Sequence, residues 1–377
     1  MTLSLFLGLL VLVHSCWTAS LPAQVFQASP LLLSPGCNDS QVLSVAGLAL
    51  QGINDDRKEG YEFSLNRVVD VREHQGRRGS VYYLTFDVLE TGCHVLSRKN
   101  WTDCAARELH QSVYGQCKAI FYLSMPERIP YLPAYNCTVR PVFRGSVIRM
   151  CPDCPGPIYT KISDASILEA VSECLEKYNK EVAVGKKFSL FQLTKAYYQW
   201  ILGPFYFVEY LVTETPCTKS LPGSEKCLQP SADSKPVGLC RGSLSEIHEK
   251  HVSVTCEFFQ TQPTSAPGSH PTEQQPPEQS ASPSAAAPLQ EGPKGSVQLL
   301  PDFVDDINEG DQERKPLVTF PVHIELTTEP LGEVLRLPSY FKLEKEDMPV
   351  VLPFPGGSRS NGCPGVAANS NPLILPP

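Results

Sequence analysis

After the short run Leu5–Val13, no stretch of this chain is long and apolar enough to cross a membrane. That run lies within the first twenty residues, is too short to span a bilayer and is followed by small residues. Residues 1–20 are therefore expected to be a signal peptide, although no Lys or Arg precedes the run and the sequence does not fix on which side of the cleavage point Cys16 lies. Basic charge is in deficit too: 32 Lys and Arg stand against 40 Asp and Glu, a net charge of -8. Without a basic stripe to neutralise phosphates, nucleic acid is excluded as a partner. There are only eight histidines, and no serine, histidine and acid arrangement stands out. His248-Glu249-Lys250-His251 is one residue short of the His-Glu-x-x-His zinc motif, so its histidines are not spaced i, i+4 and it reads as a solvated hairpin. These absences predict a chain that is not an enzyme and needs no cofactor.

Cysteine, by contrast, is plentiful, with fourteen in 377 residues. Behind a signal peptide they are expected to be mostly disulfides of an oxidising compartment. Three sequons agree with secretion and give Asn38, Asn100 and Asn136 as N-glycosylation sites.

The cysteines are laid out twice. Cys93, Cys104, Cys117 and Cys137 have gaps of 11, 13 and 20; Cys217, Cys227, Cys240 and Cys256 have gaps of 10, 13 and 16. A slide of 124 residues sets VYYLTFDVLETGC (Val81 to Cys93) on FYFVEYLVTETPC (Phe205 to Cys217), Gln75 on Gln199 and Gly79 on Gly203. Upstream, VLSVAGLALQGIN (Val42 to Asn54) matches ILEAVSECLEKYN (Ile167 to Asn179). Leu43, Ala46, Leu50 and Ile53, like Leu168, Val171, Leu175 and Tyr178, recur at helical spacing, with N-cap residues in Asp39-Ser40 and Ser163-Asp164. Two β-rich runs joined by a Gly-containing turn follow each helix: Val68 to Val71 into Val81 to Leu89, and Phe188 to Leu193 into Phe205 to Val212. The pattern predicts an α+β fold of two tandem units, each a helix laid across an antiparallel sheet.

Past Phe259 the composition changes. Gln260 to Gly295 holds eight prolines and no aromatic residue, cannot bury a core and is expected to be disordered. Asp302 to Asp347 carries twelve acidic against five basic residues with no clear period, and reads as an extended tail. Cys363 is the only cysteine of the tail, and Cys37 stands outside the repeat.

A helix on an antiparallel sheet with Gln-x-x-x-Gly at the first hairpin resembles the cystatin fold. Two such units, the Cys-Pro-Asp-Cys-Pro junction at Cys151–Pro155, the paired cysteine ladder and a Pro-rich tail ending in one cysteine together resemble the fetuin family of the cystatin superfamily. The resemblance implies boundaries at 25–147 and 161–258 for the two cystatin-like domains, 148–160 for the linker and 259–377 for the C-terminal region. It also implies the pairs Cys37–Cys363, Cys93–Cys104, Cys117–Cys137, Cys151–Cys154, Cys217–Cys227 and Cys240–Cys256, a connectivity that spacing alone leaves open. Cys174 is left over and is expected to be a free, buried thiol. The fetuins it resembles most are plasma glycoproteins that inhibit astacin-type zinc metalloproteinases, including the egg protease ovastacin. They thereby keep the zona pellucida penetrable. The implied setting is secreted and extracellular, in blood plasma and follicular fluid. The implied partner is an astacin-family metalloproteinase, met by a monomer.

Cys151-Pro152-Asp153-Cys154-Pro155 admits four readings. A redox pair is disfavoured, because the adjacent carboxylate raises a thiol pKa and no βαβ pattern surrounds it. A structural zinc site would need a second ligand pair. A plain staple explains the cysteines but not Asp153. A presented carboxylate explains all five residues: the ring and its prolines display Asp153 with little entropy left to lose, ready to ligate the target enzyme's zinc and displace its water. The chain is thus expected to hold no metal of its own. Gln199, Trp200, Ile201, Leu202, Gly203 and Pro204 put exposed apolar groups at a turn and read as auxiliary protease contacts, or as side chains folded back on the sheet. In cystatins this turn wedges into papain-like proteases, which makes cysteine-protease inhibition an alternative. In the first unit Arg77 and Arg78 occupy the turn. A plasma carrier or mineral-binding role is the other alternative; it calls for a row of acidic residues on one sheet face, and strand 81–89 has only Asp87.

Overall fold

The computed structural model describes residues 32–126, 129–157, 164–181, 186–218, 234–247, 249–259, 293–301, 322, 324, 331–338, 341 and 343–375. The expected signal peptide, the Cys217–Cys227 pairing, His248 and the Pro-rich residues 260–292 lie outside the described residues.

In the first unit helix α1 (Ser40–Asp56) begins where Asp39 caps it, Oδ1 accepting from the backbone N–H of Gln41 at 2.8 Å and of Val42 at 3.4 Å. The face it buries is Val42, Val45, Ala46, Ala49, Leu50 and Ile53; Leu43, expected on that face, is exposed. The stripe is centred on two alanines, which lets the helix approach the sheet closely. Strands β1 (Tyr61–Gln75), β2 (Gly79–His94), β3 (Val113–Ser124) and β4 (Pro130–Pro141) pair antiparallel in that order beneath it. Helix α2 (Arg144–Met150) follows and crosses the boundary expected at 147/148. In the second unit β5 (Gly156–Pro157) is an edge piece and helix α3 (Ala165–Glu181) packs on β6 (Lys186–Trp200), β7 (Pro204–Thr218), β8 (Gly238–Ser245) and β9 (His251–Phe258). Here Ile167, Ala170, Val171 and Cys174 are buried, and Leu168 is exposed.

The repeat reaches individual hydrogen bonds. Asn54 Nδ2 donates to Phe63 O and Phe63 N donates to Asn54 Oδ1, both at 2.9 Å, and Asn179 makes the same pair with Phe188 at the same distances. Each asparagine ties its helix to the long strand that follows it, β1 or β6. Cys117–Cys137 and Cys240–Cys256 are directly opposite each other across β3–β4 and β8–β9. Cys37–Cys363, Cys93–Cys104 and Cys151–Cys154 are also bonded.

The tail is where the composition misleads. Lys294 and Gly295, expected to be disordered, open β10 (Lys294–Leu299), which adds parallel to β4 with Ser296 opposite Asn136. Further on, β11 (Glu333–Val334) pairs with β12 (Val350–Val351), and the described residues from Phe341 onward lie on the first unit. Leu352 N donates to Tyr83 Oη at 2.6 Å, Phe354 meets the Tyr83 ring edge-on, and Ser360 bonds both Asp70 Oδ1 and Val71 O at 2.8 Å. Nearly every residue of β2 is consequently buried: one face lies under α1 and the other under this strap. Acidic, proline-rich sequence gives no sign of such packing, because only a few apolar residues carry it.

A buried charge cluster joins the two units. Glu209 of β7 accepts two hydrogen bonds from the Arg107 guanidinium, at 2.9 and 3.0 Å, and one from Tyr61 Oη at 2.6 Å. Arg107 Nε also lies 2.9 Å from Glu90 Oε1, and Lys195 of β6 pairs with the same Glu90. Burial raises the Glu209 carboxyl, but the Arg107 guanidinium outweighs it and holds the group down at about 2. Its ordinary value is 4.5, so the depressed group contributes on the order of 3 kcal/mol above the unfolded pKa, lost as pH falls from about 4.5 toward 2. Glu209→Gln should flatten that acid limb of the melting curve; an unchanged limb in thermal scans at stepped pH would show that the cluster does not titrate as described.

Cys174 is a free thiol, fully buried and 3.5 Å from Ser253 O, where Gly242 leaves room for its sulfur. Burial pushes it up to about 11. Only the thiolate reacts, so labelling by a thiol reagent should be slow in the native protein and fast in urea; rapid native labelling would show the site to be open.

Candidate functional site

The linker is built to hold one residue out. Helix α2 runs directly into Cys151, whose N–H donates to Val147 O at 2.8 Å, and Cys154 N donates back to Cys151 O at 3.2 Å. The Cys151–Cys154 disulfide closes this turn into a ring, and Pro152 and Asp153 at its tip are exposed. With Pro152 fixing φ inside the ring and Pro155 just after it, the tip has few other conformations available. Leaving the ring, Gly156 and Pro157 pair with Tyr198 and Tyr197, so the chain re-enters the second unit along the edge of β6.

The expected hairpin meets this ring. Gln199, the last residue but one of β6, donates its side-chain amide to the Asp153 carbonyl oxygen. That hydrogen bond holds the backbone of Asp153 and does not engage its exposed side chain. Gln199, expected as a protease contact, is thus engaged within the chain. The turn beyond it closes with Trp200 opposite Pro204 and Ile201 N donating to Gly203 O at 3.3 Å. Trp200, Ile201 and Leu202 are 63%, 54% and 81% exposed, so they do not fold back onto the sheet. Gly203 is buried, and a Cβ there would lie 2.9 Å from Ile247 Cγ1, so close approach of the neighbouring loop is what requires glycine. Pro152, Asp153, Cys154 and Pro155 of the ring and Gln199 and Trp200 of the hairpin line one cavity of about 910 Å³, together with Tyr61, Glu90 and Val147 of the first unit.

The first unit's equivalent hairpin is engaged differently. Arg78 lies 3.4 Å and Arg77 4.0 Å from Asp347 of the strap. Charged and tied to its own chain, it offers no apolar wedge. Asp87 is also committed: it is buried, 2.6 Å from Arg67 Nε and bonded by Gln116. Lys250 of the His248–His251 segment lies 2.7 Å from both Glu169 and Glu173 of α3, and Glu249, Lys250 and His251 are exposed, as expected of a solvated hairpin. Among the sequon residues Asn38 and Asn100 are exposed, and Asn136 is half-buried with its Oδ1 accepting from Ser296 N.

Sequence reasoning missed α2 as the base of the ring and Gln199 as its brace. The first was hidden in a segment of only seven helical residues; for the second, the signal present was the Gln of the repeated Gln-x-x-x-Gly.

Residues 33–123 and 155–247 each match the family model described as Cystatin domain. Human fetuin-B is 50% identical, with all of both chains covered. Among solved structures, mouse fetuin-B in complex with crayfish astacin is similar at 46% identity and a TM-score of 0.72, over 93% of this chain and 98% of that one. Mouse fetuin-B in an inhibitory complex with human meprin beta is similar at 46% identity and a TM-score of 0.71, over 92% and 100%. With half its residues shared end to end with human fetuin-B and a Cystatin domain in each unit, this chain belongs to the fetuin-B family.

Proposed function

We propose that this chain is a secreted inhibitor of astacin-family zinc metalloproteinases, and not an enzyme, and that it acts by seating the Asp153 carboxylate on the target's catalytic zinc. The observation that carries the reading is the pairing of a free, exposed Asp153 side chain with a backbone restrained from both sides, by the Cys151–Cys154 bond and by Gln199. Its support from outside is that mouse fetuin-B, similar over nearly the whole chain, forms complexes with crayfish astacin and human meprin beta. A carboxylate is a good ligand for zinc and would take the place of the water that such an enzyme activates. Restraint before binding reduces the entropy lost on association. A disulfide ring with prolines also cannot lie as the extended strand a protease cleft pairs with, so the inhibitor resists cleavage. Trp200, Ile201, Leu202 and Pro204 supply the auxiliary apolar contact beside it.

The physiological reading we propose is that the chain, secreted into blood plasma and follicular fluid, inhibits the egg protease ovastacin and so keeps the zona pellucida from hardening early. Cysteine-protease inhibition has one feature in its favour, the exposed Ile201 at the apolar position of the second hairpin. A papain assay run beside an astacin assay separates the two. The mineral-binding alternative loses its only candidate on strand 81–89, since Asp87 is paired with Arg67.

Asp153→Ala should abolish most inhibition of crayfish astacin with no change in melting temperature, because the exposed side chain supports nothing beneath it. Asp153→Glu should also be impaired, since one more methylene on a fixed ring misplaces the oxygens. Cys151→Ser with Cys154→Ser should weaken inhibition and open the linker to cleavage. Inhibition by Asp153→Ala equal to wild type would sink the mechanism.

Trp200→Ala should weaken inhibition by roughly 1–3 kcal/mol, as for an aromatic anchor at an interface. Its melting should stay within about 0.5 kcal/mol of wild type, as for an exposed site away from the core. A titration of astacin activity and a thermal scan of the same variant check both halves.

A further inference from the structure

Beneath helix α2 lies a small apolar cluster separate from the main cores of both units. It consists of Leu89 of β2, Val142, Val147 of α2 and Ile374, with Leu109, Tyr114, Cys154 and Leu373 packed against it. Ile374 and Leu373 come from the far end of the tail, more than two hundred residues after the helix whose Val147 shares the cluster. Ile374 is 1% exposed.

The placement of Ile374 is built. Cys363 is bonded to Cys37, which fixes the strap upstream. Gly365 N donates to Val68 O and Ala368 N to Asn66 O, each at 2.8 Å, so the strap follows β1. Asn66 then clamps Asn369 from both sides: its Oδ1 accepts from Asn369 N at 2.7 Å and its Nδ2 donates to Asn369 O at 3.2 Å. Asn371-Pro372-Leu373-Ile374 is a β-turn closed by Ile374 N donating to Asn371 O at 3.1 Å, and Asn371 Oδ1 accepts from Leu373 N at 2.9 Å. Asparagine first and proline second are what such a turn favours. The turn directs Ile374 into the cluster and away from solvent.

What Ile374 meets there is the base of the ring. Val147 is the one buried residue of α2, and its carbonyl accepts the Cys151 N–H that starts the ring. Cys154, the other half of the ring disulfide, packs against the same cluster. A seven-residue helix has too few internal hydrogen bonds to hold its own shape in water, so its position depends on tertiary contacts. Of these contacts, the one supplied by the tail can be removed without touching either domain's core.

We infer that the turn Asn371–Ile374 is a positioning element for inhibition: by packing Ile374 under Val147 and Cys154 it fixes the angle at which α2 presents the Asp153 ring. This rests on the inhibitory role proposed for the ring. Ile374 never meets the protease and acts only through the helix. The C-terminal region, by composition the least structured part of the chain, thus holds the inhibitory loop from behind.

The test uses the full chain with three changes: Ile374→Asn, Ile374→Leu, and termination after Pro372, which leaves the Cys37–Cys363 bond intact. Ile374→Asn and the truncation should speed amide exchange at Cys151 about tenfold. Both should raise the inhibition constant against crayfish astacin about tenfold through faster dissociation, with the melting temperature of the whole chain unchanged. Ile374→Leu should restore both. If the exchange at Cys151 and the inhibition constant stay at wild-type values, the inference is overturned; it is equally overturned if both change only in step with a fall in global melting. Asp153→Ala, measured in parallel, separates the two levels. Full inhibition by that variant removes the role of the ring, whereas the exchange at Cys151 reports the support of α2 whatever the ring does.

Discussion

Glu209 lies at the seam of the two units, accepting hydrogen bonds from Arg107 and Tyr61, both of the first unit. A carboxylate buried alone would cost several kcal/mol, and the cluster is stable only because guanidinium, phenol and the Glu90–Lys195 pair satisfy it together. Such a cluster tolerates little sliding, since each partner removed leaves a charge without compensation. Two cystatin domains joined by a flexible linker would present a loop and a hairpin at variable distance. The cluster removes that freedom, and β6, which carries Lys195, also carries Gln199 four residues on.

The two domains share a plan but not a fate. In the first, β2 is covered on both faces, by α1 and by the strap, and its Gln75–Gly79 hairpin is tied to Asp347 through Arg77 and Arg78. In the second, α3 covers one face, β6 and β9 stay half-exposed, and the corresponding hairpin puts Trp200, Ile201 and Leu202 in solvent. One duplicated unit is wrapped by the tail and the other keeps its apolar hairpin exposed. The difference lies in what the rest of the chain packs against each, more than in the units themselves.

The ring between them combines two kinds of restraint. The disulfide and the prolines act on the unbound chain, limiting the shapes available before any partner arrives. Gln199 and the cluster under α2 act through the fold, setting where the restrained loop points. The two are complementary, because a rigid loop still points in many directions until the fold fixes its base.

Much of this was legible in the sequence. The duplicated cysteine gaps and matched β-runs marked two units, and the helical spacing located both helices to within two residues. Only Leu43 and Leu168 were misplaced, each one position away from the buried stripe. Cys151–Pro155 announced a restrained loop with an exposed acid, because ring size and proline φ are covalent facts local to five residues. What the sequence could not carry was the placement of segments far apart in it. Glu209 on Arg107, Gln199 on the Asp153 carbonyl and Ile374 in one apolar cluster with Val147 span separations of 102, 46 and more than two hundred residues. Periodicity and spacing report how a segment meets its own immediate neighbours. Which distant side chain satisfies a buried carboxylate or fills an apolar gap is decided only when the sheets, helices and strap close on one another.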